Sequence, residues 1–188
     1  MSWPEFRYRA ALIYCPATFK TWAPRLHERY AQNLAALQHD DRSLRFPFRF
    51  SVFPSTTYNL GPRTATYPHL DYFNAAFGWC AITALGTYDY TKGGHLILWD
   101  LDLVIEFPPG STIFIPSAVM SHSNVAISEG ECRYSVTQYA AGGLFRWVDN
   151  GFKSNRSLSH KQRKIRHREN LTLWEESLAL FPILSRDE

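Results

Sequence analysis

Short apolar segments follow one another through the centre of the chain. Six of them combine β-branched or aromatic residues with the length of a strand: residues 79–85, 94–100, 103–107, 112–115, 123–127 and 133–139. Turn signals separate them, including Gly93-Gly94, Pro108-Pro109-Gly110 and Glu129-Gly130. Many short strands at this spacing predict a sandwich or a barrel.

Helical patterns occupy the two ends of the chain. Between Thr18 and Gln38, after the breaker Pro24, apolar residues recur at helical spacing: Leu26, Tyr30, Leu34 and Leu37. This pattern predicts a helix packed on the outside of a sheet. After Asn150-Gly151 the chain becomes polar and helical, and its last segment, Leu171–Leu184, carries one apolar stripe of Trp174, Leu178 and Phe181.

We therefore predict two parts within one compact unit of 188 residues. Residues 1–150 form a helix and a β-barrel. Residues 151–188 form a basic helical extension packed on the same domain.

Cysteine usage and hydropathy narrow the class of protein. Cys15, Cys80 and Cys132 are far apart and form no C-x-x-C pair, so neither a zinc site nor a disulfide framework is expected. No apolar run approaches the ~18 residues of a membrane span. We expect an intracellular protein with no membrane partner.

Positive charge is concentrated in one segment. Seven basic residues and no acidic one lie between Lys153 and Arg168, so the rest of the chain carries a net −4 against +3 for the whole. Such a segment is either a site for a polyanion such as DNA or a solvated helix face.

A candidate metal site lies within the strand region. In an extended strand, residues i and i+2 point to the same side, so His69 and Asp71 can both point into the barrel. His122, 51 residues after Asp71, can complete a set of two imidazoles and one carboxylate. This facial triad leaves metal positions open and is typical of non-haem Fe(II) oxygenases. A second H-x-D, His39-x-Asp41, lies in a charged turn and is interpreted as a surface loop.

A candidate anion site follows 11 residues after His122. Arg133 can hold a carboxylate through two charge-assisted hydrogen bonds, each worth roughly 1.5–3 kcal/mol. Ser135 lies on the same strand face and can add a hydroxyl donor. Five further residues are candidates for the barrel lining: Tyr67, Cys80, Thr83, Leu96 and Val136.

The ordered set of H-x-D, Gly-Gly, His and R-x-S resembles the Fe(II)/2-oxoglutarate dioxygenase superfamily over roughly Arg63–Gln138. The resemblance implies a double-stranded β-helix (a jelly-roll or cupin-like barrel). It also implies that His69, Asp71 and His122 are the catalytic iron ligands. Arg133, with Ser135, would hold the cosubstrate 2-oxoglutarate, and dioxygen would be the oxidant.

Longer segments resemble oxygenase-domain proteins of mushroom-forming fungi, which are similar to the TET/JBP branch that oxidises methylated pyrimidines in DNA. These segments include Tyr67–Asp71, Gly78–Leu85 and Gly143–Gly151. The resemblance implies substrate roles for Asn74, which would contact a flipped base, and Tyr139, which would stack on it. Where the TET pattern has a base-contacting His, eight residues after Arg133, this chain has Ala141, so relaxed selectivity is expected.

Three functions follow as hypotheses. The first is oxidation of a methylated base in nucleic acid, with the Lys153–Arg168 segment contacting DNA and a nuclear location. The second is hydroxylation of a protein side chain or a small molecule. The third is a non-catalytic metal-binding β-barrel module.

Overall fold

The computed structural model describes residues 17–46 and 48–181. A helical segment at residues 17–22 precedes the helices α1 (Pro24–Asp40), α2 (Gly142–Asp149), α3 (His160–Asn170) and α4 (Leu173–Leu178). The strands are β1 (Ser55–Asn59), β2 (Cys80–Thr87), β3 (Leu96–Leu98), β4 (Leu103–Ile105), β5 (Thr112–Ile115), β6 (His122–Asn124) and β7 (Cys132–Tyr139). Cys15 and residues 182–184 of the predicted C-terminal helix lie outside the described residues.

Two antiparallel sheets form the body of the fold. The first has the strand order β1-β7-β2-β5 and the second the order β4-β3-β6. The segment before β2 extends the second sheet, because His69 pairs with His122 and the Asn124 amide donates to the Thr66 carbonyl. Apart from the paired strands β3 and β4, successive strands thus cross from one sheet to the other, which is the jelly-roll arrangement. The prediction of a double-stranded β-helix with flanking helices is confirmed, although no ladder closes the two described sheets into a continuous barrel.

The space between the sheets is one of two hydrophobic cores. Every second side chain of β2 points toward β3 in this core. The core contains Cys80, Ile82 and Ala84 of β2, Leu96 and Leu98 of β3, and Phe107 and Ile115. The intervening Ala81 faces the opposite side of the first sheet. Since both faces of β2 are covered, its first five residues are all buried.

The second core lies between the outer face of the first sheet and α1. Phe19 stacks on Phe53 and Phe114 with ring centroids 5.2 and 5.4 Å apart, and Tyr30 meets Phe19 edge-on at 5.5 Å. Burial of each large side chain contributes about 1.5–3 kcal/mol. The helix is therefore held on the sheet by aromatic packing, as the N-terminal apolar pattern predicts.

The structure differs from the predicted elements in several places. The first helix is interrupted at Ala23, because Pro24 disfavours helical backbone in the residue before it. Residues 99–101 form a 3-10 turn instead of a strand end, and Asp102 then adopts the left-handed conformation at φ 51°. The helix α2 was not predicted. In the C-terminal stripe, Phe181 contacts Trp79 with ring centroids 6.0 Å apart, whereas Trp174 and Leu178 are exposed.

Within the described residues, no helix combines the length and the apolar composition needed to cross a lipid bilayer.

Candidate metal centre

Backbone pairing between two segments of the second sheet brings the two histidines together. The amide of each residue donates to the carbonyl of the other, at 3.1 Å in both directions, and the His69 and His122 ring centroids lie 4.3 Å apart. Asp71 is fixed by its own amide, which donates to the Ser117 carbonyl at 2.9 Å. The chain therefore places all three side chains by main-chain hydrogen bonds.

The three side chains form a cluster of metal-ligand type. One ligand atom from each of His69, Asp71 and His122 lies within 4.8 Å of the others, and the His69 Nε2 to Asp71 Oδ1 distance is 3.7 Å. No other group of this kind occurs in residues 17–46 and 48–181. His122 is buried, while His69 and Asp71 are partly exposed toward the opening.

Both imidazoles are held by the carbonyl two residues earlier. His69 Nδ1 donates to the Tyr67 carbonyl at 2.8 Å, and His122 Nδ1 donates to the Met120 carbonyl at 3.0 Å. With the proton on Nδ1, each ring keeps the lone pair of Nε2 for a metal. Burial lowers the pKa of His122, with the Met120 carbonyl opposing it, so the neutral form that binds metals is favoured.

Arg133 is a buried cation without an anionic partner. Its side chain is 0% exposed, and Nη1 donates to the Thr64 carbonyl at 3.1 Å. Its Nε and Nη2 groups are buried and have no hydrogen-bond partner, and no described carboxylate forms an ion pair with it. Burial lowers the pKa of Arg133, and the nearby Tyr88 hydroxyl opposes this shift. An unpaired buried charge is costly, so this environment fits an anion supplied by a ligand.

A cavity of about 430 Å³ opens over the three-residue cluster. One wall is polar and contains Asn59, whose amide donates to Ser135 Oγ at 2.9 Å. Asn124 lies on this wall and accepts from Thr66, while its buried Nδ2 has no partner. Further lining residues are Thr57, Thr137, Ile82 and Leu70. The rim is aromatic: Tyr72 is 78% and Phe73 90% exposed.

Most residues predicted for the site share this cavity: His69, Asp71, Asn74, His122, Ser135 and Tyr139 all line it. Arg133 is buried two residues before Ser135, hence on the cavity side of β7. The roles of these residues stay predictions. Asn74, predicted to contact a substrate, directs its amide nitrogen to Asp71 Oδ2 at 3.2 Å.

The prediction of the barrel lining was wrong at three of its five positions. Thr83 and Val136 pair with each other across β2 and β7, out of phase with Ile82 and Ser135, so they face away from the cavity. Tyr67 is 91% exposed. Cys80 and Leu96 do lie between the two sheets, in the barrel interior, but they do not line the cavity over the metal-ligand cluster. Burial raises the pKa of Cys80 to about 12, so its thiol is neutral.

The polar wall was missed in the sequence. Thr137 could have been found because it continues the two-residue period of Arg133 and Ser135. Asn59, Thr66 and Asn124 come from separate segments, and only the tertiary fold joins them.

The basic segment and the second H-x-D both lie on the surface. The helix α3 starts with a capping box formed by Ser159 and Gln162, and its basic side chains are largely exposed. Arg163 differs from its neighbours, because its guanidinium donates to the carbonyls of Leu158 and Arg156. His39 lies in the last turn of α1 and not in a loop, whereas Asp41 follows the helix and accepts hydrogen bonds from the Ser43 amide and hydroxyl.

Comparison with known proteins gives structural likenesses alone. No protein-family sequence model and no curated protein matches the chain. The solved structure of NgTET1 in complex with 5mC DNA is similar at 18% identity with a TM-score of 0.48, over 74% of this chain. This chain thus spans about half of NgTET1, since 48% of that protein is covered.

A viral collagen prolyl hydroxylase, vCPH from Paramecium bursaria Chlorella virus-1, is similar in two structures. Its 2OG complex has 13% identity and a TM-score of 0.34 over 58% of this chain and 70% of that one. A truncated form has 12% identity and a TM-score of 0.32 over 58% and 66% of the two chains. With TM-scores below 0.5, these likenesses assign neither a cofactor nor a substrate to this chain.

Proposed function

We propose that this chain is an Fe(II)- and 2-oxoglutarate-dependent dioxygenase. His69, Asp71 and His122 would hold the iron, because two neutral imidazoles and one carboxylate form the facial set that non-haem Fe(II) sites use. The cavity over these side chains leaves room for ligands on the open side.

The single observation that carries the cosubstrate assignment is the unpaired guanidinium of Arg133. A dicarboxylate would bring the missing anion, and the free Nε and Nη2 donors can hold one carboxylate through two hydrogen bonds. Ser135 supports this role, because its Oγ accepts from Asn59 and so keeps its own proton to donate to a ligand.

When bound, iron and 2-oxoglutarate supply the chemistry by which dioxygen oxidises a substrate C–H bond, with release of succinate and CO₂. The residues of this chain contribute binding and orientation. The carbonyls of Tyr67 and Met120 keep both imidazoles in one tautomer, and the buried base of the cavity excludes water from Arg133.

The substrate that we propose is a methylated base in nucleic acid. Tyr72 and Phe73 are exposed aromatic side chains on the cavity rim, where a base taken out of its stack can rest on a ring. Tyr139 offers another ring inside the cavity. The basic segment from Lys153 to Arg168 supports phosphate contacts.

A protein side chain or a small molecule is the second candidate substrate. Ala141 favours it, because this residue, which pairs with Asn74 beside the site, has no polar group for the edge of a base. Discrimination between bases depends on such polar groups.

Succinate formation tests both the proposed dioxygenase activity and the proposed substrate. The iron-loaded protein is given 2-oxoglutarate and oxygen with methylated DNA, with unmethylated DNA of the same sequence, or with a peptide mixture. We expect succinate release that depends on the methyl group. Equal succinate release on both DNAs, together with stimulation by peptides, would favour the second candidate, a protein side chain or a small molecule. Absence of succinate under every condition would contradict the oxygenase itself.

A further inference from the structure

The carboxylate of Asp71 has two oxygens in different environments. Oδ1 faces the ligand cluster, 3.7 Å from His69 Nε2. Oδ2 accepts a hydrogen bond from Asn74 Nδ2 at 3.2 Å. The same nitrogen donates to Ser117 Oγ at 3.0 Å, and the Ser117 carbonyl accepts from the Asp71 amide at 2.9 Å.

These contacts determine the orientation of the Asn74 amide. An ionised carboxylate only accepts hydrogen bonds, so the nitrogen end of the amide must face Asp71. Both hydrogens of Nδ2 are then used within the chain, one on Asp71 and one on Ser117. Ser117 is 1% exposed, so a buried side chain holds the Asn74 amide in its position beside Asp71.

We infer that Asn74 is a positioning residue that keeps Asp71 a ligand through one oxygen. This inference rests on the proposed iron site. Carboxylates bind metals through one or both oxygens, and a second bound oxygen would take a position that a chelating cosubstrate and dioxygen require. The Asn74 hydrogen bond occupies Oδ2 and leaves Oδ1 for the metal.

This role differs from the one that the resemblance implies for Asn74. A residue that contacts the substrate should change substrate binding alone. A residue that positions a metal ligand should change the metal and cosubstrate sites even when no substrate is present. Loss of a hydrogen bond to a metal ligand typically lowers metal affinity by about 10–100-fold.

The test compares Asn74→Ala and Asn74→Leu with the wild-type chain, without substrate and without oxygen. Fe(II) affinity is measured by competition with a chromophoric chelator, and 2-oxoglutarate affinity by titration of the metal-saturated protein. We expect Fe(II) affinity to fall about 10–100-fold, and 2-oxoglutarate to bind more weakly once both oxygens of Asp71 are free. Circular dichroism verifies that each variant is folded.

Two further variants keep the inference testable if these fail to fold. Ser117→Ala removes one partner of the amide but leaves its bond to Asp71, so a smaller loss of Fe(II) affinity is expected. Asn74→Gln retains the amide on a longer side chain and should recover part of the affinity.

The outcomes separate this inference from the proposed function. Wild-type protein that binds neither Fe(II) nor 2-oxoglutarate would overturn the proposed function. Wild-type binding that is unchanged in Asn74→Ala and Asn74→Leu, with a loss confined to substrate dependence, would overturn the positioning role alone.

Discussion

Arg133 combines complete burial with two unused donors, a state that costs the folded protein free energy until an anion binds. We predict that Arg133→Met weakens 2-oxoglutarate binding by at least about 10–100-fold, the loss expected for one charged hydrogen bond. The free energy of unfolding of the ligand-free protein should not fall, because the variant removes an unpaired buried charge. Calorimetric titration and thermal unfolding measure the two effects.

Arg45→Met is a matched control for this variant. The Arg45 guanidinium donates to the carbonyls of residues 42, 43 and 44 and does not line the cavity. Unchanged 2-oxoglutarate affinity in Arg133→Met would contradict the anchor role.

Gly78 marks a close approach between α1 and the first sheet. A Cβ atom there would overlap the Tyr30 hydroxyl and lie 3.0 Å from the Ala75 carbonyl. Gly78→Ala is therefore expected to destabilise the fold by about 1–3 kcal/mol, as overpacking does. Chemical denaturation measures the change, with Gly61→Ala as the control because its nearest atom lies at 3.8 Å. Equal stability of the two variants would contradict the packing described.

Metal-ligand candidates were predictable at the residue scale because the two-residue period of a strand makes His69 and Asp71 neighbours on one side. The tautomer of the two histidines was not predictable, since it depends on hydrogen bonds to the backbone carbonyls of Tyr67 and Met120. The same holds for Asn74, whose bond to Asp71 needs a turn that no residue pattern specified.

Elements whose ends are marked by turn-forming residues in the sequence were predicted closely. The strand β5 follows Pro108-Pro109-Gly110 and was placed at residues 112–115, as the structure has it. The predicted strand at 94–100 ran too far, because Trp99 and Asp100 form side-chain bonds to Ser123 and Ser121 that hold a 3-10 turn. The helix α2 was missed because it begins with Gly142 and Gly143, which are poor helix formers.

A bound polyanion would contact the exposed face of α3. Lys161 and Lys164 lie three residues apart and thus on one face of the helix. We predict that replacing both with Gln lowers DNA affinity and reduces the salt slope of binding by about 1–2, since each phosphate contact contributes about 0.9. Fluorescence anisotropy over a range of salt concentrations measures the slope.

Lys92→Gln is the control for this pair, because Lys92 forms an ion pair with Asp89 at 2.9 Å outside the basic segment. A salt slope that is the same in all the variants would mean that α3 is a solvated helix face.

The candidate metal site joins segments that are distant in the sequence. His69, Asp71 and His122 join the segment before β2 to β6, and a metal bound there stabilises the folded state alone. At a free metal concentration of 100 times Kd the gain is about 2.7 kcal/mol. We predict that Fe(II) raises Tm under anaerobic conditions, that a chelator reverses the gain, and that Asp71→Ala largely loses it. An equal rise in wild-type protein and in Asp71→Ala would place the metal elsewhere.

In the proposed site, the three-residue cluster holds iron and Arg133 holds 2-oxoglutarate beside it. The most direct measurement is anaerobic addition of 2-oxoglutarate to the Fe(II) protein, followed by visible absorption. A weak charge-transfer band is predicted for the wild-type chain and for the control His95→Ala, whose imidazole lies outside the cluster, and it should vanish in His122→Ala. A wild-type protein that binds Fe(II) without any band, or a band that persists in His122→Ala, would contradict the account.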